Sequence, residues 1–135
     1  GLEDNKLKEE IISKNIKERI RRILKKYHAK KIFINSSIDP HPDHRAVYHA
    51  VIDVINDLDY KSDVYTYEVW NIIKDNKPVV YSDISQYFKA KIAMMKSFRS
   101  QWVFMYPLII AVYFRARFYG FKNDCMYAEK FYKIK

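Results

Sequence analysis

The sequence Asp39-Pro40-His41-Pro42-Asp43-His44-Arg45-Ala46-Val47 follows a short apolar run, Lys31-Ile32-Phe33-Ile34-Asn35, and opens an amphipathic segment. The run predicts a buried strand, and Pro42 suits a first helical turn, where a missing N–H costs nothing. A strand, a polar loop and a helix start place ionisable side chains at the edge of a sheet. Open α/β folds build ligand and metal sites at that edge.

The composition indicates one domain with a core of ordinary size, since the chain has 135 residues and is 49% hydrophobic. The single Cys125 excludes an intramolecular disulfide and a zinc site of several thiolates. It also indicates a reducing compartment, so we expect a cytoplasmic protein. The two glycines argue against a glycine-rich phosphate loop, and the charged start predicts no signal peptide.

The net charge of +9 raises the question of nucleic acid or a membrane surface as a partner. Lys and Arg are spread along the whole chain, and the densest run, Lys17 to Lys31, is typical of the polar face of one helix. We therefore expect a basic solvated surface and no nucleic-acid partner. A non-enzymatic basic binding module stays open as an alternative.

Periodicity predicts alternating helices and strands. One helix is expected from Lys6 to Tyr27, a second from Pro42 to Leu58, and a third capped by Asp83 with Gln86 in a capping box. Strands are expected at Lys31–Asn35, at Val64–Trp70 and, as a short edge strand, at Pro78–Tyr81. The apolar stretch Trp102–Phe114 is too short for a membrane span. It predicts a buried helix, with an oligomer surface left open.

This alternation predicts an α/β fold with a parallel or mixed sheet flanked by helices. Two or three strands make a thin sheet, however, because such sheets usually have more strands and helices on both faces. We therefore expect that part of the sheet lies outside this chain.

His41 and His44 are three residues apart across the junction of loop and helix, so both imidazoles can face one cavity. Asp39 and Asp43 add carboxylates nearby. A neutral imidazole is a common zinc ligand, and a carboxylate can hold its other N–H. Pairs of this spacing also occur by chance or cap helices, so the pair alone leaves both interpretations open.

A catalytic zinc usually has three protein ligands and an open position for water. No third ligand is evident in the sequence. His28 falls at a basic helix end, where a solvated side chain is expected, and His49 falls on a different helix face from His44.

The segment His41-Pro42-Asp43-His44-Arg45-Ala46-Val47 resembles the second metal motif of the PIG-L/LmbE family of zinc-dependent deacetylases. Supporting similarities follow in family order along nearly the whole chain. They are Gly1-Leu2-Glu3-Asp4-Asn5, Tyr67-Glu68-Val69-Trp70, Asp83-Ile84-Ser85, Lys91, Arg99-Ser100-Gln101 and Ala128-Glu129-Lys130-Phe131.

The resemblance implies a Rossmann-like three-layer sandwich with a mostly parallel sheet, of which residues 1–135 form the C-terminal part as a single partial domain. It also implies hydrolysis of an N-acetyl group on an N-acetylglucosamine-type sugar or a related amide, with Zn²⁺ as cofactor. The family's first metal motif, Ala-His-Pro-Asp-Asp, is absent from this sequence. The resemblance therefore assigns the other ligands and the general base to an N-terminal half of the same domain, without which this chain is expected to be inactive.

By position in the motif, the resemblance makes His44 a zinc ligand and His41 the oxyanion stabiliser or general acid. Asp43 would tune His41 or orient the helix start. Arg45 could contact substrate or cover the surface, and the surface is favoured. Glu68 is left open between a role behind the ligands and a cross-strand or solvated side chain. Arg99 and Gln101 are expected in packing or subunit contacts. A family member that keeps the fold without activity is the remaining alternative.

Overall fold

A computed structural model describes residues 6–68, 76–97 and 102–135. The helices in this part are α1 (Leu7–Ser13), α2 (Ile16–Tyr27), α3 (Pro42–Asp57), α4 (Phe88–Lys96) and α5 (Trp102–Lys122). The strands are β1 (Lys31–Ile34), β2 (Asp63–Tyr67), β3 (Val79–Asp83) and β4 (Ala128–Lys133), hydrogen-bonded in the order β1-β2-β4-β3. The predicted α/β class, a sheet flanked by helices, is confirmed.

The chain divides into two compact units. The first contains the described residues of Gly1–Pro78 together with Tyr132–Lys135, and the second contains those of Val79–Phe131.

In the first unit, β1 and β2 pair in parallel, with Lys31 opposite Asp63 and Ile34 opposite Thr66. Parallel pairing at this point agrees with the predicted sheet. The core beside the strands is formed by Leu24, Ile34, Val51, Val54, Ile55 and Val64. The buried residues of α3 recur at helical spacing, so one face of α3 packs against this core.

The predicted helix from Lys6 to Tyr27 is two helices. The chain breaks between α1 and α2, where Asn15 adopts a left-handed backbone with φ 50°. Asn tolerates this conformation better than most residues because its short side chain can hydrogen-bond locally. Periodicity cannot detect the break, since the apolar spacing continues across it.

The last residues of the chain complete the first unit beside β2. The N–H of Ile134 donates to the carbonyl of Val64 at 2.8 Å, and the N–H of Val64 donates to the carbonyl of Lys135 at 3.0 Å. Lys133 Nζ lies 2.7 Å from Asp63 Oδ1. These contacts fix the chain end along β2.

Strand β4 was not predicted from periodicity, and its burial explains why. Alternate residues are buried along it, but the inward set includes Lys130 as well as Ala128 and Tyr132. Lys130 Nζ lies 5.3 Å from the centre of the Tyr119 ring, so a cation–π contact accompanies its burial. A buried Lys removes the polar–apolar alternation by which strands are recognised.

The second unit packs α4 and α5 around Phe88, Val112 and Ala116. Tyr127 stacks on Phe88 with ring centres 3.9 Å apart. Strand β3 is exposed along its whole length and lies at the sheet edge, as predicted.

The predicted capping box at Asp83 does not form, and α4 begins only at Phe88. The Asp83 carboxylate instead accepts hydrogen bonds from the N–H and hydroxyl of Ser85, at 2.8 and 2.5 Å. An Asp bonded to the residue two positions on favours a turn, which competes with helix capping.

Helix α5 contains the apolar stretch Trp102–Phe114, so a helix there is confirmed. The prediction that it is buried is wrong for one side, because Tyr106, Ile110, Tyr113 and Phe114 are exposed. Within the described ranges, none of the helices combines the length and apolar character that crossing a bilayer requires.

Candidate functional site

The candidate site is the loop between β1 and α3. Hydrogen bonds to buried polar groups fix the conformation of this loop. Ser36 lies directly after the strand with 1% of its surface exposed. Its carbonyl accepts from the Asp39 N–H at 3.2 Å, and its hydroxyl oxygen accepts from the Ile38 N–H at 3.3 Å. These bonds turn the chain, so that Asp39 points inward at the start of the His-rich segment.

Asp39 is the buried acid of the site, with 2% of its surface exposed. Its Oδ1 accepts a hydrogen bond from the His41 N–H at 2.8 Å and lies 2.9 Å from His44 Nδ1. The angle of the second contact lies outside that of a well-formed hydrogen bond, so the buried His44 Nδ1 lacks an aligned partner among the described residues. A carboxylate beside Nδ1 favours a proton there and leaves Nε2 as the basic nitrogen.

His41 is the N-cap of α3. Its Nδ1 accepts a hydrogen bond from the Asp43 N–H at 3.2 Å. Because Nδ1 is an acceptor, we assign the proton of the neutral ring to Nε2. The His41 and His44 rings lie side by side, with centres 4.8 Å apart and planes inclined by 32°. The two imidazoles are thus adjacent, and their neighbours favour a proton on Nε2 of His41 and on Nδ1 of His44.

Asp43 connects the site to α1. Its Oδ1 accepts from the N–H of Leu7, the first residue of α1, at 3.2 Å. It is the backbone N–H of Asp43 that reaches His41, and the same residue therefore both fixes the His41 ring and anchors a neighbouring helix.

Arg45 is partly exposed, and its side chain also binds the backbone of the loop. Its Nη1 donates to the carbonyls of Asp39 and Pro40, at 2.6 and 2.8 Å. Charge-assisted bonds of this kind are the stronger ones, so the guanidinium holds the backbone of the buried acid and of the residue that follows it. Sequence reasoning missed this role. It placed carboxylates near the imidazoles but did not distinguish Asp39 from Asp43 as the neighbour of His44. The Asp-Pro pair ahead of two His was the available signal.

The fit to a metal is partial within this chain. A carboxylate beside one ring nitrogen, as Asp39 lies beside His44 Nδ1, is an arrangement that orients metal-ligating imidazoles in general. Among residues 6–68, 76–97 and 102–135, no group of three or more His, Cys, Asp or Glu is arranged to hold a metal ion. One imidazole is one ligand of the usual three, so a complete zinc site would need donors beyond these residues.

The other residues singled out in the sequence lie away from the imidazole pair or outside the described ranges. His28 ends α2 with φ 47° and an exposed side chain, and His49 is exposed with its ring edge-on to Tyr48. Glu68 follows β2 at intermediate exposure. Arg99, Gln101, Val69, Trp70 and Gly1-Leu2-Glu3-Asp4-Asn5 lie outside the described residues.

Two further positions of the resemblance meet in the second unit. Lys91 Nζ on α4 donates to Glu129 Oε1 on β4 at 2.5 Å. Both side chains are about one-quarter to one-third exposed. This ion pair joins a helix to a strand and gives Glu129 a structural role.

A groove of about 570 Å³ lies beside the loop in the first unit. Its walls are Lys8, Ile11, Ile12, Lys17, Pro42, Arg45, Ala46, His49, Ala50 and Asp53, from α1, α2 and α3. Arg45, which binds the loop backbone, also lines the groove, but neither His41 nor His44 does. The groove therefore adjoins the candidate site without including its chemistry.

The sequence matches no protein-family model and no curated protein. The folded chain is similar to several solved structures. The fold is shared with deacetylases.

Superposed on the zinc-inhibited form of teicoplanin deacetylase Orf2, it gives a TM-score of 0.71 at 15% identity, over 98% of this chain and 55% of that one. The A40926 pseudoaglycone deacetylase Dbv21 gives a TM-score of 0.60 at 13% identity, over 93% of this chain and 57% of that one. The conserved protein TT1542 from Thermus thermophilus gives a TM-score of 0.73 at 18% identity, over 88% of this chain and 57% of that one. The chain thus spans a little over half the length of each.

Proposed function

We propose that this chain is the C-terminal part of a PIG-L/LmbE-type, zinc-dependent deacetylase domain. Its substrate is an N-acetylglucosamine-type sugar or a related N-acetylated amide. The general base and the remaining metal ligands belong to the N-terminal half of the same domain. The observation that carries the proposal is the pair of adjacent imidazoles, His41 and His44, with the buried Asp39 carboxylate 2.9 Å from His44 Nδ1. The shared fold supports it.

In this proposal His44 is the metal ligand of the chain. Asp39 lies 2.9 Å from its Nδ1 and stabilises the proton there, so that Nε2 is left to coordinate. Arg45 keeps Asp39 in place through the backbone carbonyls of Asp39 and Pro40. Zinc, when bound, polarises an amide carbonyl and increases the acidity of water.

His41 is the proton donor of the chain. Its Nε2–H can interact with the oxygen that gains negative charge when the amide is attacked, or protonate the leaving amine. Asp43 fixes the His41 ring through its backbone N–H. The positive end of α3 adds to the stabilisation of negative charge at this point.

The test uses the complete gene product that contains this chain, with variants His44→Ala, Asp39→Asn and His41→Ala. His49→Ala is the matched control, because His49 lies exposed on the same helix and away from the pair. Zinc content is measured by dialysis against a zinc buffer, and activity by acetate release from N-acetylglucosamine derivatives.

We expect His44→Ala to lose stoichiometric zinc and Asp39→Asn to weaken zinc affinity by about 10–100-fold. His41→Ala should keep zinc and lose about 10²–10⁴-fold in kcat. His49→Ala should match the parent protein in both measurements. Loss of zinc in His41→Ala with retention in His44→Ala would contradict the assignment of roles. A folded complete protein with no zinc and no acetate release would favour the inactive family member.

A further inference from the structure

Helix α5 presents an apolar face to solvent along most of its length. Its exposed residues recur every three or four positions, so they lie on one side of the helix. They are Tyr106, Pro107, Ile110, Ala111, Tyr113, Phe114, Arg117, Phe118, Phe121 and Lys122. The opposite side holds Val112, Ala116 and Tyr119, all buried. We call the exposed side the aromatic face of α5.

The aromatic face is larger than an incidental surface patch. Phe114, Phe118 and Phe121 expose 68%, 54% and 78% of their surface. With Tyr106, Ile110 and Tyr113 added, the exposed area is roughly 500–800 Å², taking 150–250 Å² for each large aromatic. Contiguous apolar patches of this size mark interaction surfaces.

The charge around this face is mostly positive. From Trp102 to Lys122 the sequence contains no Asp or Glu, and the two charged residues on the aromatic face are Arg117 and Lys122. The stretch Val79–Phe131 carries eight Lys and Arg and three Asp and Glu, a difference of +5. A ligand complementary to this face would therefore combine apolar groups with negative charge.

Both cations lie at the C-terminal end of the face among aromatic rings. Lys122 Nζ lies 4.4 Å from the centre of the Phe118 ring, and Arg117 Nη1 donates to the Met126 carbonyl at 3.3 Å. Long basic side chains can lay their alkyl stems on apolar surface while the charged ends reach water or headgroups.

We propose that the aromatic face of α5 binds the surface of an anionic lipid bilayer, with the helix lying in the plane of the interface. Aromatic rings favour the headgroup region, and basic side chains beside them are attracted to anionic lipids. A second copy of the chain fits the charges less well. Symmetric pairing through this face would bring Arg117 and Lys122 of both copies onto one surface that carries no acid.

The test is flotation of the complete protein with vesicles of phosphatidylcholine alone or mixed with phosphatidylglycerol. The variants are Phe114→Ser with Phe118→Ser, and Arg117→Gln with Lys122→Gln. The control is Tyr87→Ser with Met94→Ser, because both residues are 69% exposed in the same unit but lie outside α5. Circular dichroism checks that each variant is folded.

We expect the parent protein and the control to bind the mixed vesicles equally, and more tightly than phosphatidylcholine alone. The double Phe variant should lose at least about tenfold in partitioning, because two large apolar side chains no longer enter the interface. The double cation variant should lose the preference for anionic vesicles, and added salt should weaken binding of the parent protein.

Three results would overturn the proposal. They are no flotation of the folded parent protein, equal flotation of the double Phe variant, and burial of the face in lipid-free protein. The last is read from Phe114→Trp as the difference between its emission and that of the parent protein, which already contains Trp70 and Trp102. A blue-shifted difference before vesicles are added shows burial. Light scattering then shows whether a second copy covers the face. None of these results depends on deacetylase activity.

Discussion

At the scale of single residues, Asp39 decides what the two imidazoles can do. A carboxylate with 2% exposure lies within 2.9 Å of His44 Nδ1 and accepts from the His41 backbone, so one acid organises both residues. Buried carboxylates are retained where partners compensate their desolvation. Here the compensation comes from the loop itself and from Arg45 on the neighbouring carbonyl.

Gly120, near the end of α5, lies so close to neighbouring backbone that a side chain does not fit there. A Cβ at this position would lie 2.6 Å from the Met126 carbonyl oxygen and 2.7 Å from that of Cys125. Helix propensity alone predicts that Ala is better than Gly here by about 1 kcal/mol. We expect Gly120→Ala to be destabilising instead, with a loss of roughly 1–3 kcal/mol in the free energy of unfolding. The added Cβ would force the backbone at Cys125 and Met126 to shift. Urea denaturation measures it, and a gain in stability would contradict the contact.

At the scale of elements, the boundary between α1 and α2 is set by one left-handed residue. Asn15 has φ 50° and ψ 44°, and the two helices on either side both contact α3. Its conformation, rather than the hydrophobic pattern, ends one helix and starts the next.

The left-handed backbone at Asn15 makes a prediction about β-branched residues. Asn15→Val should destabilise the protein by about 1–2 kcal/mol, because Cβ clashes with the following carbonyl in this conformation. Asn15→Gly should be tolerated. Lys25→Val on the exposed side of α2 is the matched control for helix propensity. Thermal or urea unfolding compares the three, and equal losses for the two Val variants would argue for a continuous helix.

At the scale of the whole molecule, the last residues of the chain pair with β2, and an ion pair between Lys133 and Asp63 joins the two segments. The Lys133 ammonium, hydrogen-bonded to Asp63, holds the pKa of Asp63 below its ordinary value. The same bond raises the pKa of Lys133. Because the pKa of Asp63 is lower in the folded state, its contribution to stability is present above the unfolded pKa and is lost as pH falls through the folded one. The contribution of Lys133 is present below its unfolded pKa and is lost as pH rises through the folded one.

The stability difference between the parent protein and Asp63→Asn should therefore be greatest in the middle of the pH range. It should shrink as pH falls below about 4 and as pH rises above about 10, the ordinary values for the two groups. Urea unfolding across pH measures the difference, with Asp124→Asn as a control at an exposed acid on the turn after α5. A difference that stays constant with pH would show that the ion pair does not form.

The sequence by itself determined the alternation of helices and strands, the start of α3 at Pro42 and the adjacency of His41 and His44. These follow from local rules, namely hydrophobic period, the fixed φ of Pro and the three-residue offset at a helix start. The roles of the site residues stay predictions, but the position of the pair did follow from the sequence.

Only the tertiary structure decided the break at Asn15, the strand β4 and the exposed side of α5. It also decided the contact of Asp39 with His44 and the hydrogen bonds from Arg45 to the loop backbone. Each depends on groups brought together by folding: Lys130 is buried against Tyr119, and α5 is apolar on both sides while only one side finds a partner in the described structure. Sequence pattern reports which residues can be buried, but which of them are buried depends on what packs against them.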